Sequence, residues 1–442
     1  MSAPPPGITS QNPLDNAPMR VRQILILMIA LLLSALDGYD AMSMAFVAPA
    51  LATEWGIGKS LTGLLLSSSL VGMAIGAVGL SPLADKYGRR AVVLGALVVM
   101  TLGTAFSAVA PSVPFLAAAR LLTGIGIGVM VAMTTLLSAE FSNAKRRPLA
   151  VAAIATIGFP LGGVIGGLGA SAILKTATWH LVFWAGSIAG LVLIALVFVA
   201  LPESPVYLIV RRSHGALERA NGALSRLGHS ALSELPAAVD RQQIRYRALF
   251  EPGLRPIVLR LTITATLIAT TAYFSINWLP TMVVDAGFTP AQGSLVSAQS
   301  GLIGFIGGVI FAAFAGRFPP TKVAAVAMTS GALALAALGL VPPALQYFVL
   351  AAGALGFCMA GTTGMFYTLL ATTFPAGLRA SGMGFVMGIM RIASAAGPAL
   401  AGFMFAQGMT RAGVSLIFAI GPVSAAILIA TLPTASNNTN PR

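Results

Sequence analysis

About twelve long apolar runs constrain this chain more than any other feature of its sequence. They cover approximately residues 22–49, 61–81, 91–110, 114–138, 148–172, 179–201, 256–282, 293–315, 322–341, 345–370, 381–407 and 413–433. A helix needs roughly 20 apolar residues to cross the hydrocarbon core of a bilayer. Inside that core each backbone N–H and C=O must be satisfied within its own segment, so runs of this length form α-helices. The expected fold class is all-α integral membrane, with twelve transmembrane helices. Composition agrees: 57% of the 442 residues are hydrophobic and 9% are charged. A soluble domain carries roughly 25% charged residues, so most of this surface must face something other than water. The polar, Pro-rich segment Met1–Arg20 carries no signal-peptide pattern, and the first run is expected to stay as a helix.

The formal net charge of +14 would suit a nucleic-acid partner, but the distribution of the charges excludes one. They lie in short segments between the apolar runs. With the N-terminus placed in the cytoplasm, 20 of the 26 Lys and Arg fall on that side, eight of them Arg between Arg211 and Arg255. The opposite side holds Lys59, Lys175 and Arg411, and Arg120, Arg260 and Arg391 fall in spans. This asymmetry predicts that both termini are cytoplasmic. The division expected is an N-terminal tail over 1–21, a six-helix bundle over 22–201, a cytoplasmic linker over 202–255, a second six-helix bundle over 256–433 and a C-terminal tail over 434–442. The stretch 215–227 reads as a short surface helix. The single cysteine, Cys358, permits no internal disulfide, and no metal-ligand cluster is present in the sequence.

The two bundles repeat. Leu136-Leu137-Ser138-Ala139-Glu140-Phe141 matches Leu369-Leu370-Ala371-Thr372-Thr373-Phe374, and each copy precedes a short basic loop and a Gly-rich span. Near the same offset, Asp85–Arg90 faces Gly316–Lys322. Six spans separate the copies, so the halves share one orientation and form two pseudo-symmetric six-helix bundles. Parallel repeats of this kind place a substrate site between the halves near the membrane midplane.

An ionisable side chain near the bilayer centre costs about 2.5–3.5 kcal/mol on insertion scales, which makes each one a functional candidate. Asp37, Asp40, Arg120 and Arg391 qualify. The three His read as lying outside the spans, so no histidine proton relay is expected. Asp37 and Asp40 share one face of span 1, and Gly38 between them permits close approach of a neighbour. Two acids in a low-dielectric cavity favour protonation of at least one, which proton coupling requires; the alternative is structural pairing with Arg120 or Arg391. Arg391 has a planar fork that matches a carboxylate, and its alternative role is the internal partner of Asp37 or Asp40. Arg120, ahead of the small-residue face Gly124, Gly126 and Gly128, either relays protons or holds span 4 to span 1. Tyr39, Tyr273, Asn277, Trp278, Gln299 and Tyr367 would complete a pocket, with rings able to sandwich an aromatic substrate. Trp278, near a helix end, also suits an interface anchor.

Pro82-Leu83-Ala84-Asp85-Lys86-Tyr87-Gly88-Arg89-Arg90 resembles the loop 2–3 signature of the major facilitator superfamily, with Ser81 where the family pattern has Gly. Asp37-Gly38-Tyr39-Asp40 is similar to the span 1 motif of that superfamily's aromatic acid:proton symporters. Phe46–Leu51, Leu201–Pro205, Trp278–Thr281 and Gly388–Arg391 fit as well. The resemblance covers nearly the whole chain. It implies the major facilitator fold and uptake of a small aromatic carboxylate, such as a hydroxybenzoate, with protons. Asp37 and Asp40 would couple protons, and Arg391 would meet the carboxylate. Asp85, Gly88, Arg89 and Arg90 would form a cytoplasmic gate, with Asp85 capping a helix across the interface between halves. A monomer in the lipid bilayer of a bacterial inner membrane is expected, driven by the proton gradient, with no cofactor and no metal. The rivals are a proton antiporter exporting a drug or organic acid, disfavoured by the incomplete Gly158-Phe159-Pro160 pattern, and a membrane sensor on a transporter fold. An enzyme is not expected, because the spans hold no nucleophile with a base.

Overall fold

The computed structural model describes residues 12–236, 246–315, 317–375 and 378–431. Twelve helices are long and apolar enough to cross a membrane: α1 Val21–Trp55, α2 Lys59–Leu80, α3 Arg89–Ala108, α4 Val113–Glu140, α5 Arg147–Ile173, α6 His180–Ala200, α7 Arg255–Asp285, α8 Pro290–Phe314, α9 Pro320–Leu340, α10 Leu345–Thr373, α11 Ser381–Ala406 and α12 Arg411–Ala430. The protein is a multi-pass, all-helical membrane protein. Expectations placed on residues 1–11, on Gly316 and on the tail 434–442 lie outside the described residues.

The main difference from the sequence reading is at α1, which continues past Pro49 to Trp55 and stops only where Gly56 adopts a left-handed φ of 62°. A proline removes one backbone donor, and packing against neighbours tolerates the loss inside a bundle. His180 is the first residue of α6 rather than a loop residue, stacked on Trp179 at 3.7 Å between ring centroids. The surface helix forms over Ala216–Leu227 and buries Ala220, Ala223, Leu224 and Leu227. The repeated segments fall in equivalent places: Phe141 and Phe374, both buried, each follow the last residue of a helix, α4 and α10.

Small residues set the helix spacing. A Cβ on Gly162 would lie 1.7 Å from the Ala35 carbonyl oxygen, and one on Gly38 would lie 2.0 Å from that of Phe159. The α1 and α5 backbones therefore touch at two levels, just before the Asp37–Asp40 turn and within it. Gly124 and Gly128 do the same for α4 against α2. Gly162→Ala is expected to force α5 off α1 and to cost about 1–3 kcal/mol or more, visible as a lowered unfolding temperature in detergent; a variant as stable as wild type would contradict this packing.

Residues 21 and 430 lie at the same end of the bundle, since twelve crossings separate them. Contacts between the two six-helix sets concentrate at the opposite end. Lys59 pairs with Asp285 at 2.6 Å, Gly63 abuts Pro398 and Gly402, and Gly167 abuts Ser294 and Ala298. Helices α2, α5 and α1 carry these contacts against α11, α8 and α7, whereas α4 and α10 pack mainly within their own sets.

At the termini end the segment before α1 and the surface helix clasp the first six-helix set. Asp15 pairs with Arg147, and Arg22 donates to the Arg226 carbonyl. Gln23 donates to the Phe141 carbonyl at 2.9 Å, and its Oε1 accepts from Arg20 N–H and lies 2.9 Å from His229 Nε2. Because that oxygen can only accept, His229 carries its proton on Nε2. Burial, then the nearby Arg20 charge, lowers the His229 pKa. A depressed imidazole pKa favours the docked clasp while the ring is neutral, so docking weakens as pH falls below about 6.5. Faster proteolysis of the linker at pH 5.5 than at pH 8, with the difference removed by His229→Gln, is the expected result.

Candidate functional site

The site lies where α1, α7, α10 and α11 approach mid-membrane. Asp37 is 1% exposed, and neither carboxylate oxygen has a hydrogen-bond partner among the described residues. The cation that acts on it belongs to the other six-helix set: Arg391. The two do not form an ion pair, so the charges face each other across a gap. The helix is interrupted at Ala395 within α11, and Arg391 occupies the last turn of the segment before the break, Arg379–Ser394. A helix C-terminus favours a cation. Ser394 donates to the Arg391 carbonyl at 2.6 Å, which fixes that turn.

Arg391 is half-buried, and the hydrogen bond recorded for its guanidinium is Nη1 to the Tyr273 hydroxyl of α7 at 3.3 Å. A guanidinium has five donors, so most of this fork is open to an incoming acceptor. Tyr367 of α10 is close enough for its phenol to act on the same charge. The arrangement is an open cation walled by two phenols, opposite a bare acid.

Asp40, one turn on from Asp37, belongs to a different environment. Its side chain points into the first six-helix set, where Thr104 of α3 donates to Oδ1 at 3.1 Å. Arg120 of α4, fully buried, directs Nη2 to the Asp40 main-chain oxygen at 2.5 Å and lies over the Phe183 ring of α6 at 5.4 Å. The Ser43 hydroxyl donates to the same oxygen at 2.8 Å. Arg120 thus ties α4 to the middle of α1. Neither acid forms a direct ion pair with either arginine, so the structural alternative of simple salt bridges is not what this arrangement holds.

The remaining candidates each donate to a main-chain carbonyl. The Tyr39 hydroxyl donates to the Val182 carbonyl at 2.6 Å, and its ring packs by Gly166 and Gly186. Asn277 bonds back to the Tyr273 carbonyl at 2.8 Å. Gln299 reaches the Val349 carbonyl at 3.3 Å and joins α8 to α10. Trp278 is neither a cavity wall nor a membrane-interface anchor: it is fully buried, with its N–H on the Pro398 carbonyl at 3.0 Å and its ring against Phe405.

The loop between α2 and α3 forms a second polar centre. Arg89 pairs with Glu140 of α4 at 2.9 Å and with Asp85 at 3.1 Å. Among the described residues Asp85 makes no cap across the interface. Glu203, after α6, takes the N-terminus of α3, accepting from Arg89 N–H at 2.7 Å and Arg90 N–H at 3.3 Å. Gly88, at φ 99°, leaves room for that carboxylate, whose Oε2 would lie 2.3 Å from a Cβ there. Ser81 in place of Gly keeps the preceding turn, with its N–H on the Gly76 carbonyl at 3.1 Å. Glu140, Glu203 and Thr104 escaped the sequence reading. Glu140 sat in the repeated hexapeptide, and its loss to Thr373 in the second copy was the available signal.

The sequence matches the Major Facilitator Superfamily model over residues 30–398 and 261–442. It is 30% identical over 92% of its length to a gallate transporter of Pseudomonas putida, covering 90% of that protein. It is 31% identical over 88% of its length to the 4-hydroxybenzoate transporter PcaK of the same organism, covering 87% of it. The fold is that of the xylose transporter XylE from E. coli in its inward open conformation, with a TM-score of 0.72 at 17% identity, over 94% of this chain and 98% of that one. The expected fold and the resemblance read from the loop and span 1 motifs are both borne out. The chain is a transporter and not an enzyme, and it belongs to the Major Facilitator Superfamily, in its aromatic acid family.

Proposed function

We propose that this protein imports a small aromatic monocarboxylate, of the benzoate or hydroxybenzoate type, together with protons by alternating access. The observation that carries the reading is the open guanidinium of Arg391, flanked by the Tyr273 and Tyr367 phenols and facing the unpartnered Asp37. A planar fork accepts a carboxylate through two parallel hydrogen bonds, and phenol rings offer faces to an aromatic ring. Substrate contact rests on Arg391, Tyr273 and Tyr367, since Tyr39, Asn277, Trp278 and Gln299 already donate to main-chain carbonyls within the protein. Contacts between the halves at the far end, with α4 and α10 held to their own sets, fit a cavity open toward the termini. The excess of Lys and Arg at that end makes it cytoplasmic in a bacterial inner membrane. The proton gradient is the energy source, the protein works as a monomer in the bilayer, and no cofactor takes part. The test is uptake of labelled 4-hydroxybenzoate into proteoliposomes under an inward proton gradient. Accumulation that an uncoupler abolishes supports import; saturable export of a hydrophobic cation with no uptake of the acid would replace it with the antiporter reading.

A further inference from the structure

The two acids and two arginines inside the spans divide into pairs that behave differently when the halves move. This inference rests on the proposed proton-coupled carboxylate transport and assigns the proton within it. Asp40, Thr104, Arg120 and Phe183 belong to α1, α3, α4 and α6, all in the first six-helix set. Any rocking of one set against the other leaves that cluster intact. Arginine does not deprotonate in proteins, and a lone charge deep in the bilayer is costly. Protonating Asp40 would strand the Arg120 charge, so Asp40 is held ionised through the cycle.

Among the described residues Asp37 has no such standing partner. The charged and titratable groups around it are Asp40 on its own helix and Arg391 on α11, with Tyr273 of α7 and Tyr367 of α10 beside Arg391. In the empty site the Asp37 carboxylate balances Arg391 from across the interface. A substrate carboxylate on Arg391 takes over that balance and would leave Asp37 as an uncompensated buried anion. One proton on Asp37 Oδ removes it. We propose that Asp37 alone carries the transported proton, that Asp40 is the fixed counter-charge of Arg120, and that one proton moves with each monocarboxylate, so that the cycle carries no net charge. The proton bonds to Asp37 when the anion docks on Arg391 and leaves when the anion leaves, returning Arg391 to Asp37. The site has the same net charge loaded and empty, which lets both forms cross.

The test uses the full-length protein in proteoliposomes with labelled 4-hydroxybenzoate, a trapped pH dye, and protein-free vesicles as the permeation blank. Wild type is expected to move one proton per substrate above the blank, at a rate that an imposed potassium–valinomycin potential leaves unchanged. Asp37→Asn mimics the protonated acid and is expected to lose net uptake and proton movement while labelled substrate still exchanges. The double variant Asp40→Asn with Arg120→Gln removes both charges together and loses the tie between α4 and α1, so its uptake is expected to slow while the ratio stays at one. Uptake accelerated by an inside-negative potential, a ratio of two, or proton movement surviving in Asp37→Asn would overturn the assignment. Absence of 4-hydroxybenzoate exchange in wild type would overturn the transport reading beneath it as well, and the wild-type exchange arm separates the two failures.

Discussion

Arg391→Ala is expected to weaken apparent substrate affinity by at least about 100-fold while the protein still folds. A hydrogen bond to a charged group contributes roughly 1.5–3 kcal/mol, and removing one partner of a desolvated pair costs about 3–5 kcal/mol. Each 1.4 kcal/mol is a factor of ten in affinity. Folding should survive, because among the described residues the guanidinium makes one hydrogen bond within the protein, to the Tyr273 hydroxyl at 3.3 Å. Arg391→Lys should recover little, since an ammonium is a point charge without the fork that meets two carboxylate oxygens. Tyr273→Phe should cost far less than either, roughly the 0.5–1.5 kcal/mol of one ordinary hydrogen bond. The check is substrate-induced thermal stabilisation of purified protein across a concentration series. Equal half-saturation in wild type and Arg391→Ala would remove Arg391 from the site.

The second large effect falls at the loop between α2 and α3, and it is one of stability. Arg89→Ala leaves Glu140, whose side chain is 7% exposed, without its cation at the end of α4. Breaking a buried pair from one side costs about 3–5 kcal/mol. The backbone cap that Glu203 places on α3 would remain, because it uses main-chain N–H groups. The expected outcome is a strong drop in the detergent unfolding temperature, with Glu140→Gln in the Arg89→Ala background recovering part of it by removing the stranded charge. Asp85→Ala should do little to stability, since that acid is 59% exposed and exposed pairs contribute roughly 0–1 kcal/mol. Comparable losses for Arg89→Ala and Asp85→Ala would contradict this ranking.

How far the sequence reached depended on whether a feature was local. Each span announced itself through its own apolar length, so all twelve were legible, with errors confined to ends such as α1 beyond Pro49. The Asp-Gly-Tyr-Asp turn was equally plain, because charge inside an apolar run has no other simple meaning. Its geometry was not. A spacing of three put Asp37 and Asp40 on one helix face, yet helices on either side divide them, Asp40 to Thr104 within the first set and Asp37 toward Arg391 of the second. Which polar groups were already spent on neighbours was invisible for the same reason: the partners of Tyr39, Gln299 and Trp278 are main-chain carbonyls 50 to 143 residues away. The Glu203 cap lies 114 residues from the helix it serves. Pairing at that range is fixed by packing and leaves no mark on local spacing.

On the proposed function, Arg391 recognises a carboxylate on an aromatic ring. Counterflow in proteoliposomes tests it most directly, because exchange of labelled 4-hydroxybenzoate at equal internal and external pH needs binding and translocation but no driving force. Unlabelled 4-hydroxybenzoate and benzoate are expected to compete with the label, and 4-hydroxybenzamide, of nearly the same shape without the charge, is expected to fail. Competition by the amide equal to that of the acid, or wild-type counterflow no faster than that of Arg391→Ala, would contradict it.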